Sequence, residues 1–157
     1  MVSSIFEFSA RVNGRDVQLR ELAGRRWTVV VLTASRCSFS TANLSALAAL
    51  CSCDASATGD VKVIGFPCNQ FASQEPLKRP EEIQTWACET VRVPFPVADD
   101  LVRVKQGAGH VTPLFELLQS VGAARWNYTK FVCDGDGIPI LKMEPNDVDF
   151  SSALQTP

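Results

Sequence analysis

The chain has 157 residues, of which 46% are hydrophobic and 20% are charged, a composition typical of a globular domain rather than a disordered or fibrous protein. Fifteen basic and seventeen acidic residues give a net charge of -2, so no broad basic field is available for nucleic acid. No apolar run is long enough to span a membrane, and the N-terminus lacks a signal-peptide pattern. We therefore expect a single domain over residues 1–157, without stable membrane insertion, in the cytoplasm or, as the alternative, in an organelle.

The first half of the chain predicts a hairpin followed by a strand, a turn and a helix. The dipeptide Asn13-Gly14 supplies positive φ at little cost and so favours a hairpin turn. The β-branched run from 27 to 32 predicts a strand that is buried on both faces. After it, Ser40 or Thr41 is expected to cap a helix whose apolar residues recur at helical spacing.

In the second half, strands alternate with helices. "VKVIGF" predicts a buried strand ending at Pro67, and "EEIQTWACETV" predicts a helix. "FPVADD" contains and follows prolines, which favours a short or edge strand. "TPLFELLQSV" predicts a helix, "TKFVCDGDGIPILKM" a hairpin and "NDVDFSSAL" a final helix. This order indicates an α/β fold whose central sheet carries helices on both faces.

Cys37 lies in the turn "ASRCSFS", between the first buried strand and the following helix. In open α/β sheets, functional sites lie beyond the carboxyl ends of the central strands. Unpaired N–H groups and the positive end of the dipole at a helix start favour a thiolate, which makes Cys37 a candidate nucleophile. The alternative is a small apolar residue of the core, and the position of Cys37 alone favours that alternative.

Two further segments place polar side chains beside buried strands. Asn69 and Gln70 follow the second buried strand, where amides must find partners or face a cleft. Trp126 and Asn127 precede the strand "TKFVCD", and the indole N–H of a tryptophan is a donor only. A self-satisfied turn at Asn69 and a core aromatic at Trp126 are the alternative interpretations.

The segments "ASRCSFS", "FPCNQFASQEP", "WACETVRVPFPV" and "WNYTKFVCD", in this order, resemble those of the glutathione peroxidases. The resemblance extends from about residue 5 to residue 143 and is closest to the cysteine-containing, thioredoxin-dependent branch. It implies a thioredoxin-like fold, with a central mixed sheet, helices on both faces and an additional N-terminal β-hairpin. It implies a peroxidase that needs no cofactor or metal.

The resemblance also assigns residues. Cys37 matches the peroxidatic cysteine, and Gln70, Trp126 and Asn127 match the other members of the family's catalytic tetrad. A thiolate that attacks one peroxide oxygen leaves negative charge on the other, and neutral donors stabilise that charge without adding a second titrating group. The product is a sulfenic acid on Cys37, which must be captured before further oxidation.

Cys88 is similar in position to the resolving cysteine of the thioredoxin-dependent branch. A Cys37-Cys88 disulfide requires Cα atoms within roughly 7 Å, and Cys88 falls in a predicted helix, so we expect local unwinding of that helix. The resemblance implies reduction of this disulfide by a thioredoxin-type protein, with glutathione as a poorer reductant. The chain lacks the insert before Trp126 that tetrameric members use, so a monomer is expected.

The remaining cysteines and the single histidine are weaker candidates. Cys68 and Cys133 are expected to be packed thiols. Cys51 and Cys53 form a lone C-x-C, with Cys51 in the core and Cys53 at the surface, and a zinc site would need two more ligands. His110 lies in a Gly-rich turn and is expected to be solvated. An even number of cysteines suits a disulfide framework in secreted proteins, but in a reducing compartment we expect thiols at rest.

Several residues depart from the commonest pattern of the family. Leu32 replaces an Asn, Ser38 replaces a Gly, and Ala72-Ser73 replaces a Gly pair, which puts the rate at Cys37 in question. Members of the family continue the last helix beyond the position of Pro157, so we expect either a shortened terminal helix or a sequence that is a piece of a longer chain. Two rival functions stay open: a redox sensor or relay that passes the disulfide to a partner protein, and a structural module with an inactive site.

Overall fold

The computed structural model of the chain describes residues 3–107 and 109–155. The strands are β1 (Ser9–Val12), β2 (Arg15–Gln18), β3 (Trp27–Thr33), β4 (Val61–Pro67), β5 (Lys130–Asp134) and β6 (Pro139–Met143). The α-helices are α1 (Leu19–Leu22), α2 (Ser40–Cys51), α3 (Asp54–Ala57), α4 (Pro80–Thr85), α5 (Pro113–Leu118) and α6 (Phe150–Ala153). A π-helical turn (Trp86–Thr90) follows α4 directly, and two 3-10 turns cover Ile5–Glu7 and Gln119–Val121.

The central sheet is mixed and has the strand order β4-β3-β5-β6. Strand β3 pairs parallel with β4 and antiparallel with β5, and all of its residues are buried. Strands β1 and β2 form a separate antiparallel hairpin. Asn13 and Gly14 at its turn have φ values of 52° and 77°, the left-handed conformation that a two-residue hairpin turn requires. The predicted mixed sheet and N-terminal hairpin are confirmed.

Helices cover both faces of the sheet, because alternate residues of a strand point to opposite sides. Val30 packs in one cluster with Phe115 of α5. Val31 packs in the other, with Leu47 of α2 and Ile83 of α4. Burying one such side chain stabilises a fold by about 1.5–3 kcal/mol, so these two clusters hold α2 and α5 against β3. The described residues include no helix that is both long and apolar enough to cross a membrane.

Two predicted elements differ from the structure. The segment "FPVADD" forms only one isolated parallel bridge, between Val97 and Gly65, because Pro94 and Pro96 lack the N–H groups that a ladder needs. The helix predicted over "EEIQTWACETV" is divided into α4 and the π-helical turn. This division matters because the π-helical turn carries Cys88.

Candidate active site

Cys37 lies in the turn that connects the end of β3 to the start of α2. Its side chain is 6% exposed, and its Sγ atom accepts a hydrogen bond of 3.4 Å from the backbone N–H of Phe39. The carbonyl of Cys37 accepts the N–H of Ser40, the first residue of α2, at 3.0 Å. The sulfur is therefore held at the beginning of a helix, in contact with a backbone donor.

Tyr128 anchors this turn from the segment before β5. Its hydroxyl donates to the carbonyl of Ala34 at 3.0 Å and lies 2.9 Å from the hydroxyl of Ser40. Ser40 was expected to cap α2, but its hydroxyl instead lies 2.9 Å from the same Ala34 carbonyl. Burial raises the pKa of Tyr128 to about 12, so its hydroxyl stays neutral and acts as a structural donor.

Gln74 and Glu75 hold the other side of the turn. The carbonyl of Gln74 accepts the N–H of Arg36 at 2.9 Å. The carboxylate of Glu75 accepts the N–H of Ser35. Glu75 is almost fully buried, and burial raises the pKa of its carboxyl group. The two residues before Cys37 are thus fixed by backbone bonds to the loop after β4.

Asn127 is fully buried beside this loop. Its amide nitrogen donates to the side-chain oxygen of Gln74 at 3.0 Å and to the carbonyl of Phe71 at 3.4 Å. Its amide oxygen has no hydrogen-bond partner among the described residues. Trp126 is half-buried and packs against Phe71, with 5.8 Å between ring centroids, and against the apolar cluster that contains Cys37. Asn127 and Trp126 therefore adjoin the region of Cys37.

Gln70 lies elsewhere. Its side-chain oxygen accepts the N–H groups of Val104 and Lys105 at 2.5 and 3.0 Å, and its nitrogen donates to the Lys105 carbonyl at 3.1 Å. These bonds tie the amide to the 104–105 segment, so the structure does not bring Gln70 to Asn127. Gln74 has that contact instead, and sequence reasoning missed it although the motif "FPCNQFASQEP" contains both glutamines.

The backbone between the two glutamines explains the difference. Ala72 and Ser73 have φ values of 54° and 50°, the left-handed region that glycine adopts without strain. This tight turn directs Gln74 back toward β3, whereas Gln70 precedes the turn and faces the 104–105 segment. The signal available in the sequence is the Ala72-Ser73 pair, where the family's commonest pattern has two glycines.

Cys88 lies in the π-helical turn and is exposed. Its Sγ atom lies 3.7 Å from the side-chain oxygen of Gln84, a weak contact for a thiol donor. A cavity of about 520 Å³ lies between the Cys37 turn and this segment. Arg36 lines this cavity on the side of the Cys37 turn, and Trp86 lines it on the side of the π-helical turn. Cys37 and Cys88 are both free thiols in this structure.

The other thiols are placed as follows. Cys68 and Cys133 are fully buried, and burial raises the pKa of both, that of Cys133 to about 12. Cys51 and Cys53 are both half-buried, rather than one in the core and one at the surface. His110 is exposed. Within residues 3–107 and 109–155, no group of three or more His, Cys, Asp or Glu side chains is arranged to hold a metal ion.

The sheet and the cysteine turn define a thioredoxin-like protein. A solved thioredoxin of Streptococcus pneumoniae (Etrx1), 18% identical, superposes with a TM-score of 0.62 over 94% of this chain and 96% of that chain. The solved structure of T. cruzi GPX1 shares 25% identity and a TM-score of 0.71, covering 97% of this chain and 94% of its own.

Sequence comparison narrows the class. The glutathione peroxidase family profile matches residues 5–119. A probable glutathione peroxidase 2 of Arabidopsis thaliana is 31% identical over 98% of this chain and 92% of the relative. A probable phospholipid hydroperoxide glutathione peroxidase of Citrus sinensis is 29% identical over 95% and 89%. The chain belongs to the glutathione peroxidase family, and it is a peroxidase, an oxidoreductase that acts on peroxide.

Proposed function

We propose that the protein is a thiol peroxidase in which Cys37 reduces hydrogen peroxide and organic hydroperoxides, including lipid hydroperoxides, to water or alcohols. The observation that carries this proposal is the Cys37 turn itself. Its sulfur accepts a backbone N–H at the start of α2, and the neutral amides of Asn127 and Gln74 lie in contact beside the same turn. The relative from Citrus sinensis, named for phospholipid hydroperoxides, supports lipid substrates.

The oxidation step is a displacement at oxygen. The Cys37 thiolate attacks one peroxide oxygen, an S–O bond forms and the O–O bond breaks. The other oxygen leaves with the electron pair of the broken bond and takes up a proton to become water or an alcohol. Asn127 and Trp126 supply neutral donors for this developing charge, and Gln74, which contacts Asn127, has the role that the resemblance implied for Gln70.

Cys88 resolves the sulfenic acid. Its thiol attacks the Cys37 sulfur, an S–S bond forms, and the hydroxyl leaves as water with the thiol proton. The π-helical turn supports this role, because π geometry is rare and such turns often occur at functional sites. Release of Cys88 opens the turn closed by the 2.9 Å bond from Val91 N–H to the Trp86 carbonyl and the 2.8 Å bond from Val93 N–H to the Ala87 carbonyl, and it breaks the weak contact with Gln84.

A thioredoxin-type protein then reduces the Cys37-Cys88 disulfide by thiol exchange, and glutathione serves less well. Exposure of Cys88 leaves the sulfur open to an incoming thiolate, and the resemblance to the thioredoxin-dependent branch is what favours a protein reductant over glutathione. We propose a monomer, as expected from the missing insert. We also propose the cytoplasm as the compartment, where thiols stay reduced.

The test is peroxide turnover with different reductants. We expect the wild type to oxidise NADPH continuously when hydrogen peroxide, thioredoxin and thioredoxin reductase are supplied, and slowly when glutathione and its reductase replace them. Cys37→Ser is expected to abolish turnover, and Cys88→Ser to abolish turnover with thioredoxin. Cys53→Ser, at a half-buried thiol outside the site, is the matched control and keeps wild-type turnover.

Three results would contradict the proposal in different ways. Peroxidase activity in Cys37→Ser would show that Cys37 is not the nucleophile. Full thioredoxin-dependent activity in Cys88→Ser would show that Cys88 is not the resolving cysteine. A single oxidation without turnover would favour the redox sensor or relay. Non-reducing peptide mapping after one equivalent of peroxide identifies the partner of Cys37 directly.

A further inference from the structure

We propose that Asn43 and Lys130 are positioning residues for Cys37, because the buried Lys130 ammonium holds the Asn43 amide, this amide holds the Phe39 carbonyl, and the Phe39 N–H donates to the Cys37 sulfur. The inference rests on the proposed role of Cys37 as the reacting thiol and extends it to two residues outside the expected tetrad. Both side chains are buried, and neither lines the cavity between Arg36 and Trp86.

The chain of contacts begins at Lys130, the first residue of β5. Its side chain is 0% exposed, which is rare for a lysine. Its Nζ atom donates to the side-chain oxygen of Asn43 at 2.5 Å and to the carbonyl of Pro145 at 3.5 Å. A buried ammonium needs such partners, since leaving it unpaired is unfavourable. The amide oxygen of Asn43 is therefore fixed toward the ammonium.

The amide nitrogen of Asn43 makes the next hydrogen bonds in the series. With its oxygen turned to Lys130, its nitrogen donates to the carbonyl of Phe39 at 3.0 Å and to that of Pro145 at 2.8 Å. Asn43 is 1% exposed, so these partners do not compete with solvent. An aspartate cannot replace it, because two of the three groups it contacts are acceptors.

Phe39 is the link to the sulfur. Its carbonyl accepts from Asn43, and its N–H donates to Cys37 Sγ at 3.4 Å. Phe39 is the N-cap residue of α2 and makes no side-chain cap bond. Its carbonyl accepts the backbone N–H of Asn43 at 3.2 Å, and the Asn43 side-chain amide adds a second bond that fixes the direction of this carbonyl. Fixing Phe39 fixes the donor that favours the thiolate.

Charged and titratable groups lie near Lys130 and near Cys37, at the two ends of this series of hydrogen bonds. Asp147 and Glu144 face Lys130, and burial lowers the pKa of Lys130 to about 8. Tyr128 and Glu75 lie near Cys37, and neither donates to its sulfur. The ammonium thus fixes the orientation of the Asn43 amide, and through it the position of the Phe39 backbone beside the sulfur.

The test is the pH profile of Cys37 alkylation, followed by peptide mass spectrometry so that each thiol is measured separately. Iodoacetamide reacts with the thiolate, so the rate at low pH reports the thiolate fraction. Lys130→Met and Asn43→Ala are expected to lower this rate about three- to tenfold near pH 6 and to move the midpoint upward. Lys130→Gln keeps an N–H donor for Asn43 and is expected to recover at least half of the loss.

Lys142→Met is the matched control, because Lys142 lies on the neighbouring strand and contacts Glu144 and the Ala123 carbonyl rather than α2. It is expected to leave the Cys37 profile unchanged. Cooperative urea unfolding establishes that each variant is folded. Should Lys130→Met fail to fold, Asn43→Ala is the decisive variant, because it keeps the ammonium near the Pro145 carbonyl and the backbone bond to Phe39, and removes only the side-chain bond to the Phe39 carbonyl.

A wild-type midpoint in a folded Asn43→Ala or Lys130→Met variant would overturn the positioning role. If Cys37 in Lys130→Gln is alkylated no faster than in Lys130→Met, the positioning role is also overturned, because the effect of Lys130 would then come from its charge alone. These outcomes do not depend on turnover. Failure of the proposed function is seen separately, as peroxidase activity that survives in Cys37→Ser.

Discussion

Replacing Lys130 with methionine is expected to change how the stability of the protein depends on pH. In the folded chain, burial lowers the pKa of Lys130 from 10.5 to about 8. Between these two values the unfolded chain binds the proton and the folded chain does not, so raising the pH favours the folded state. Lys130 therefore destabilises the fold below about pH 8, and this penalty is relieved as the pH rises toward 10.5. At roughly 1.4 kcal/mol for each pH unit, the whole effect is about 3 kcal/mol.

The measurement is the free energy of unfolding in urea under reducing conditions, for the wild type and for Lys130→Met, at several pH values from about 7 to 10. Methionine also leaves the Asn43 oxygen without its donor, which costs about 1–3 kcal/mol at every pH. The raised pKa values of Cys133 and Tyr128 make both proteins less stable above about pH 9, so their effects cancel in the difference. Above pH 8, the free energy of unfolding of the wild type should rise relative to that of Lys130→Met. Parallel stability curves would refute the reasoning.

Three further predictions concern the loop after β4 and the anchor of the Cys37 turn. Gln74→Ala should slow the oxidation of Cys37 by peroxide by roughly ten- to a hundredfold, whereas Gln70→Ala should have a smaller effect, as measured by stopped-flow tryptophan fluorescence; equal losses would contradict the assignment of Gln74. Ser73→Gly should raise the free energy of unfolding by about 0.5 kcal/mol, because relief of the left-handed backbone strain in the folded state exceeds the cost of the greater entropy of glycine in the unfolded state. A lower urea midpoint would argue against strain at Ser73. Tyr128→Phe removes the donor to the Ala34 carbonyl and should lower the free energy of unfolding by about 1–2 kcal/mol; an unchanged value would show that the hydroxyl bond is not needed.

The parts of the fold that were predictable are those whose signal is local. Asn13-Gly14 favours a hairpin turn whatever surrounds it, and the structure has that turn. The β-branched run of β3 predicts a strand buried on both faces, as observed. By contrast, the helix predicted over "EEIQTWACETV" ends in a π-helical turn, because the backbone pattern there is set by packing of Trp86 and Ala87 against the core.

Local patterns of residues were enough to predict the α/β order of the elements, the position of Cys37 at a strand-to-helix turn and the resemblance to the glutathione peroxidases. Which glutamine contacts Asn127 depends on the folded chain, since Gln70 and Gln74 lie on either side of the left-handed turn at Ala72-Ser73 and have different partners. The hydrogen bond from the Lys130 ammonium to the side-chain oxygen of Asn43 likewise depends on tertiary structure. Hydrogen bonds between residues so far apart in the chain depend on how the strands and helices pack, and no local pattern of residue types records that packing.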